Sequence, residues 1–80
     1  MRLRRYRKDE KLSLAEFAAR IKVAARMTVS RYERGLRIPT PDIMERITDA
    51  TGGRVTEADH YHARRERLAA EAAQAQEQAA

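Results

Sequence analysis

The chain has 80 residues, no cysteine, and 17 Lys/Arg against 12 Asp/Glu, a net charge of +5. That length allows one small domain with a modest core and leaves little room for a deep enzyme pocket. Without cysteine there is no disulfide framework and no thiolate metal site. No apolar run approaches the roughly 18 residues that span a bilayer. The basic N-terminus lacks the apolar stretch of a secretory signal, so the expected setting is the cytoplasm, at the nucleoid. The charge is lopsided: residues 1–35 carry eleven Lys/Arg against four acids, and residues 36–80 carry six against eight. Arginine dominates, and its planar fork suits bidentate contacts to phosphates and guanine. A basic N-terminal half points to a polyanion, either nucleic acid or an anionic membrane surface, with plain solubility charge as the bland alternative.

In chain order, residues 2–10 are expected to form a helix in which Leu3 and Tyr6 share one face and arginines occupy the others. Ser13, with Glu16 three residues on, has capping-box spacing and opens a second helix. Its apolar stripe is Leu14, Phe17, Ala18 and Ile21. The segment KVAA has no good capping residue. A third helix then runs to Arg34 and is stopped by Gly35, with Val29 and Tyr32 as its inward pair. After the connector GLRIPTP, Thr40 caps a fourth helix with Pro41 at its first position and Ile43, Ile47 and Ala50 on its buried face. Thr56 is expected to cap a fifth helix, with Asp59 in its first turn, where its charge suits the helix dipole. From Leu68 the composition shifts to Ala, Gln and Glu, which favours helix and offers almost nothing to bury. The expected division is a domain over residues 1–67 and a helical or frayed tail over 68–80. Five short helices with brief connections and no strand signal make an all-α fold.

Two short helices joined by a tight turn, the second rich in arginine and small polar groups, is the helix-turn-helix arrangement. Its first helix braces on the sugar-phosphate backbone, and its second enters the major groove. The strings LSLAEFAARI, TVSRYERGLRIPTP and IMERITDATGGRVT resemble the Cro/repressor-type helix-turn-helix proteins, the XRE family, over about Leu3 to Asp59. The resemblance implies a five-helix, lambda-repressor-like domain with a C-terminal helical extension. It also implies a sequence-specific regulator, most often a repressor, that binds double-stranded operator DNA as a homodimer on an inverted repeat. Carried over by position, Ala25, Arg26, Met27 and Thr28 lead the recognition helix, and Arg31 follows one turn later. Arg26 and Arg31 become base readers, while Ala25 and Met27 touch a thymine methyl. Thr28, Ser30, Arg34 and Arg37 become phosphate contacts. The acid of YERG, Glu33, is implied to pair with an arginine of helix 1, here Arg7.

The resemblance departs at four points. Lys22 stands near the glycine usual in the inter-helix turn, and the segment from Ile21 to Thr28 is one residue longer than in the commonest members. Lys11 replaces a glycine before the LS pair, and Leu14 replaces a glutamine that often holds phosphate. Phosphate anchoring then falls to Ser13, the helix-start amides or the N-terminal arginines. Arg2, Arg4 and Arg5 have two readings: grips on the DNA backbone or minor groove, or a solvated helix face.

The pair His60 and His62 lacks a third ligand and points in two directions on a helix, so no metal is expected; pH-sensitive packing is a minor alternative. No Gly-rich phosphate loop, paired catalytic carboxylates or triad is legible, so neither an enzyme nor a cofactor is expected. In the tail, Tyr61, Leu68, Ala72, Ala75 and Ala79 fall at heptad-like steps, but alanines are weak knobs and a solvated helix is the expectation. An antitoxin-type protein, binding its own promoter and masking a partner with this tail, is the alternative function. A basic helix protein of RNA or membrane surfaces is the third.

Overall fold

The computed structural model describes residues 1–79. They form five helices: α1 (Leu3–Asp9), α2 (Leu14–Arg20), α3 (Arg26–Glu33), α4 (Pro41–Ala50) and α5 (Glu57–Ala79). The starts follow local chemistry. At α2 the Glu16 N–H donates to Ser13 Oγ (3.0 Å) and the Ser13 N–H donates to Glu16 Oε1 (3.1 Å), a complete capping box. The Ser13 backbone bond also holds the Glu16 carboxyl below its ordinary pKa. At α4 the Ile43 N–H donates to Thr40 Oγ1 (3.4 Å), and Pro41 holds the first position. At α5 the expected cap works in reverse. The Thr56 N–H and hydroxyl both donate to Asp59 Oδ2, at 2.9 and 3.2 Å, so the acid is the acceptor.

Four helices stop in one way. The N–H groups of Leu12, Val23, Leu36 and Gly53 each reach back five residues, to the carbonyls of Arg7, Ala18, Arg31 and Thr48, at 2.8–3.0 Å. This Schellman-type ending requires a left-handed residue just before the donor. Gly35 and Gly52 take it freely, at φ +70° and +62°, but Lys11 and Lys22 take it at φ +56° and +58°. Both lysines stand where the resemblance expects glycine. A side chain in this region costs about 1–2 kcal/mol, partly offset because glycine loses more freedom on folding. Lys22→Gly is therefore expected to stabilise the domain by about 0.5–1 kcal/mol, a rise of a few degrees in Tm by circular dichroism. A fall in Tm would contradict this account of the turn.

The core joins Leu3 and Tyr6 of α1, Phe17, Ala18 and Ile21 from α2 and its end, Val29 and Tyr32 of α3, and Ile47 of α4. Leu12 and Val55, from connectors, complete it. Tyr6 meets Phe17 edge to face, ring centres 6.3 Å apart. On α4 Ile47 is fully buried in this core, and the half-buried Ile43 and Ala50 pack against it. The expected stripe of Ile43, Ile47 and Ala50 therefore does face the core, and Met44 is buried beside it, outside that cluster. The expected helix limits also tighten: α1 begins at Leu3 and ends at Asp9, and Arg34 caps α3. Helix α5 passes through Leu68 without a break, and from Leu68 through Gln78 every side chain is exposed. Ala79 ends the helix, and its side chain lies outside the described set, so the last position of the heptad-like seam is not placed.

Candidate nucleic-acid interface

Helix α3 has two faces. At 3.6 residues per turn, Val29 and Tyr32 point one way, and both are buried. Arg26, Ser30, Arg34, Met27 and Arg31 follow one another around the opposite arc. Arg26, Met27, Arg31 and Arg34 are exposed, and Ser30 is half-buried. Thr28 borders the inner face and is also half-buried. The helix begins at Arg26, with Ala25 as a cap whose methyl can accept no hydrogen bond. Its first N–H groups are thus left open toward whatever lies ahead of the helix.

The inner side is clamped by an ion pair. Arg7 of α1 donates through Nε and Nη2 to the two carboxylate oxygens of Glu33, at 2.5 and 3.1 Å, and its Nη1 donates to the Leu12 carbonyl at 3.0 Å. The Glu33 side chain is 5% exposed, so the pair is largely dry. The hydrogen bond that Arg7 donates to Glu33 raises the guanidinium pKa, against the opposing cost of burial. The pairing implied for YERG is present. It removes Glu33 from the outer face, where a carboxylate would repel phosphate.

At the C-terminal end, Arg64 of α5 donates to the Gly35 carbonyl at 3.0 Å and to the Leu36 carbonyl at 3.5 Å. At the other end of the turn, Arg46 of α4 bonds the carbonyls of Ile21 and Lys22, each at 3.4 Å, and pairs with Asp42 at 2.8 Å. These two arginines cap the ends of α2 and α3. Neither was legible in the sequence, because both act across 24 residues or more.

The surface brings some of the sequence-derived residues together and separates others. Ser13, at the start of α2, lines one shallow groove with Arg26 and Met27, at the start of α3. Leu14 and Ala15 form the rest of its α2 side, with Arg7 beside them. The uncapped start of α3 and the Arg26 guanidinium thus open onto one surface, an arrangement that favours anions, whereas the start of α2 is closed by its own Ser13–Glu16 box. Arg37 is exposed on the connector after α3. Arg4 and Arg5 are elsewhere: they line a second groove with Tyr32, Glu33 and His60. Arg5 there lies 3.8 Å from Asp9.

His60 is 3% exposed and His62 is exposed, so the two imidazoles occupy different environments. Burial lowers the pKa of His60, opposed by the charges of Asp59 and Glu57. Among the described residues, no three His, Cys, Asp or Glu side chains gather in a way that could hold a metal ion. No described helix is long and apolar enough to cross a membrane.

A bracing helix, a tight turn and a second helix with a dry inner face and a basic outer face define a helix-turn-helix module. A family described as a helix-turn-helix domain matches residues 1–61, and the chain belongs to this DNA-binding family. Neither a curated protein nor a solved structure matches it significantly.

Proposed function

We propose that this protein is a sequence-specific transcriptional regulator, acting as a repressor, that binds an inverted-repeat operator as a homodimer through the major groove. Residues 1–67 form the DNA-binding unit in this reading, and its place of action is the cytoplasm, at the nucleoid. The observation that carries it is the outer arc of α3, where Arg26, Met27 and Arg31 project from a helix held by Val29, Tyr32 and the Arg7–Glu33 clamp. Arg26 and Arg31 read base edges, and guanine is their natural target. Met27 and Ala25 supply apolar contact to a thymine methyl. Ser13, Thr28, Ser30, Arg34 and Arg37 hold phosphates and set the register. Arg4 and Arg5 reach flanking phosphates only if the DNA extends beyond the groove lined by Ser13 and Arg26.

The test is Arg31→Ala. Its side chain is exposed, so Tm is expected to stay nearly unchanged. Binding to the preferred site should weaken by about 1–3 kcal/mol, with discrimination relaxed at one base pair per half-site. Titrations on the preferred site and on single-base variants read this out. Equal weakening on preferred and scrambled DNA would make Arg31 a phosphate clamp instead and rotate the reading face of α3.

One observation favours a second reading, an antitoxin-type protein with a protein partner. The helical extension beyond Leu68 is exposed on every described side chain, a surface on which a partner could close. A partner that co-purifies with the full chain, and is lost on truncation after Leu68, distinguishes it.

A further inference from the structure

The connector after α3 is pinned to α5 at two neighbouring points. The Gly35 backbone lies so close to α5 that a Cβ there would stand 2.2 Å from the Ala63 carbonyl oxygen. Beside it, Arg64 donates through one nitrogen, Nη1, to the Gly35 carbonyl at 3.0 Å and the Leu36 carbonyl at 3.5 Å. The same two residues are held from the other side by α3. The Gly35 N–H donates to the Tyr32 carbonyl at 3.2 Å, and the Leu36 N–H donates to the Arg31 carbonyl at 2.9 Å. Each of the two residues thus has its N–H committed to α3 and its C=O committed to α5. Arg64 itself is half-buried and in no ion pair among the described residues. Its charge is spent on these carbonyls, at the end of α3 where the helix dipole is negative.

Arg37 comes next in the chain. Gly35 and Pro39 are buried and Leu36 and Ile38 are half-buried, so Arg37 is the one exposed residue of this stretch. It is in no ion pair among the described residues. The Leu36 carbonyl belongs to the same planar peptide group as the Arg37 N–H, so holding that carbonyl also sets the direction in which Arg37 leaves the helix end. A segment fixed before binding loses less freedom on binding than a mobile one.

We propose that Arg64 is a positioning residue for DNA binding: from α5 it holds the Gly35 and Leu36 carbonyls and so presents Arg37 to a DNA phosphate. The proposal rests on the reading of Arg37 as a phosphate contact. It gives α5 a part in DNA binding without any contact of its own to the duplex.

The test is a double-mutant cycle in the full chain. Binding is read by titration of a labelled duplex of fixed sequence over a range of salt, at a temperature where circular dichroism shows every variant folded. Arg37→Ala is expected to weaken binding about tenfold and to flatten the salt slope by about one. Arg64→Met, which keeps the apolar stem and removes the donors, is expected to do the same. The double variant is expected to bind like either single one, because Arg64 acts through Arg37. Arg64→Lys, which keeps a donor for the two carbonyls, is expected to recover most of the affinity. Arg65→Gln removes the same charge from the next position, which is exposed, and is expected to leave binding nearly unchanged. A double variant weakened about a hundredfold would make the two arginines independent and overturn the proposal. So would equal weakening by Arg65→Gln, which would reduce the effect to net charge. A lowered Tm of Arg64→Met with undiminished binding would make Arg64 structural only and overturn the positioning role alone. No loss with Arg37→Ala would overturn the phosphate reading of Arg37 and the proposal with it.

Discussion

Val29→Asp is expected to unfold the domain at room temperature. Val29 has no exposed surface and packs in the cluster that holds α3 onto α2 and α1. An aspartate there would sit in that apolar cluster, and Arg7, which reaches α3 from α1, is already committed to Glu33 and the Leu12 carbonyl. An uncompensated buried charge costs several kcal/mol even after relaxation. A domain of this size has about 4–12 kcal/mol in total. Loss of most helical circular dichroism at 25 °C, with loss of DNA binding alongside it, is the expected readout. Val29→Ala is the control, expected to stay folded with about 1–3 kcal/mol less stability. A folded Val29→Asp variant would mean that α3 is not anchored through this face.

Gly35→Ala is expected to be nearly as severe, for a different reason. A Cβ added at Gly35 would lie 2.2 Å from the Ala63 carbonyl oxygen and 2.6 Å from its carbon, both backbone atoms of α5. It would also sit at φ +70°, where any side chain is strained. Relief requires α5 to move away from the end of α3, which breaks the Arg64 bonds to the Gly35 and Leu36 carbonyls. A loss of about 3 kcal/mol or more follows, which for a domain of this length lowers Tm by about 12 °C or more. Gly52→Ala provides the comparison. It has a similar φ of +62° but open space around its Cβ, so it should lose only about 1 kcal/mol. Equal losses at the two glycines would show that backbone conformation alone, and not contact with α5, makes Gly35 necessary.

This contrast also marks what the sequence made legible. Gly35 was readable as a helix stop, because a left-handed end follows from local chain chemistry. That the same residue is the contact point for α5 was not, since nothing local encodes an approach from Ala63. The pairs Val29 and Tyr32, and Leu3 and Tyr6, were readable from period alone, as was the Ser13–Glu16 box. On α4 the period gave the stripe of Ile43, Ile47 and Ala50 that faces the core. The burial of Met44, outside the core cluster, was not readable from that period. The Arg7–Glu33 clamp was legible only through the family resemblance, because 26 residues separate its members. The basic N-terminal half was visible as charge, but not its division into two surfaces, which depends on how α1 packs against α3 and α5. The burial of His60 has the same origin: its neighbours on α5 are polar, and only packing shows that its face is the inner one.

The central claim is that α3 reads sequence in duplex DNA. The most direct measurement is selection of the full chain against a pool of randomised duplexes, followed by footprinting of the enriched sites. The account predicts enrichment of an inverted repeat with guanine at fixed positions in each half. It also predicts protection of two half-sites whose centres lie about 34 Å, one helical turn, apart. Enrichment of no sequence, with binding that depends only on salt and duplex length, would contradict it.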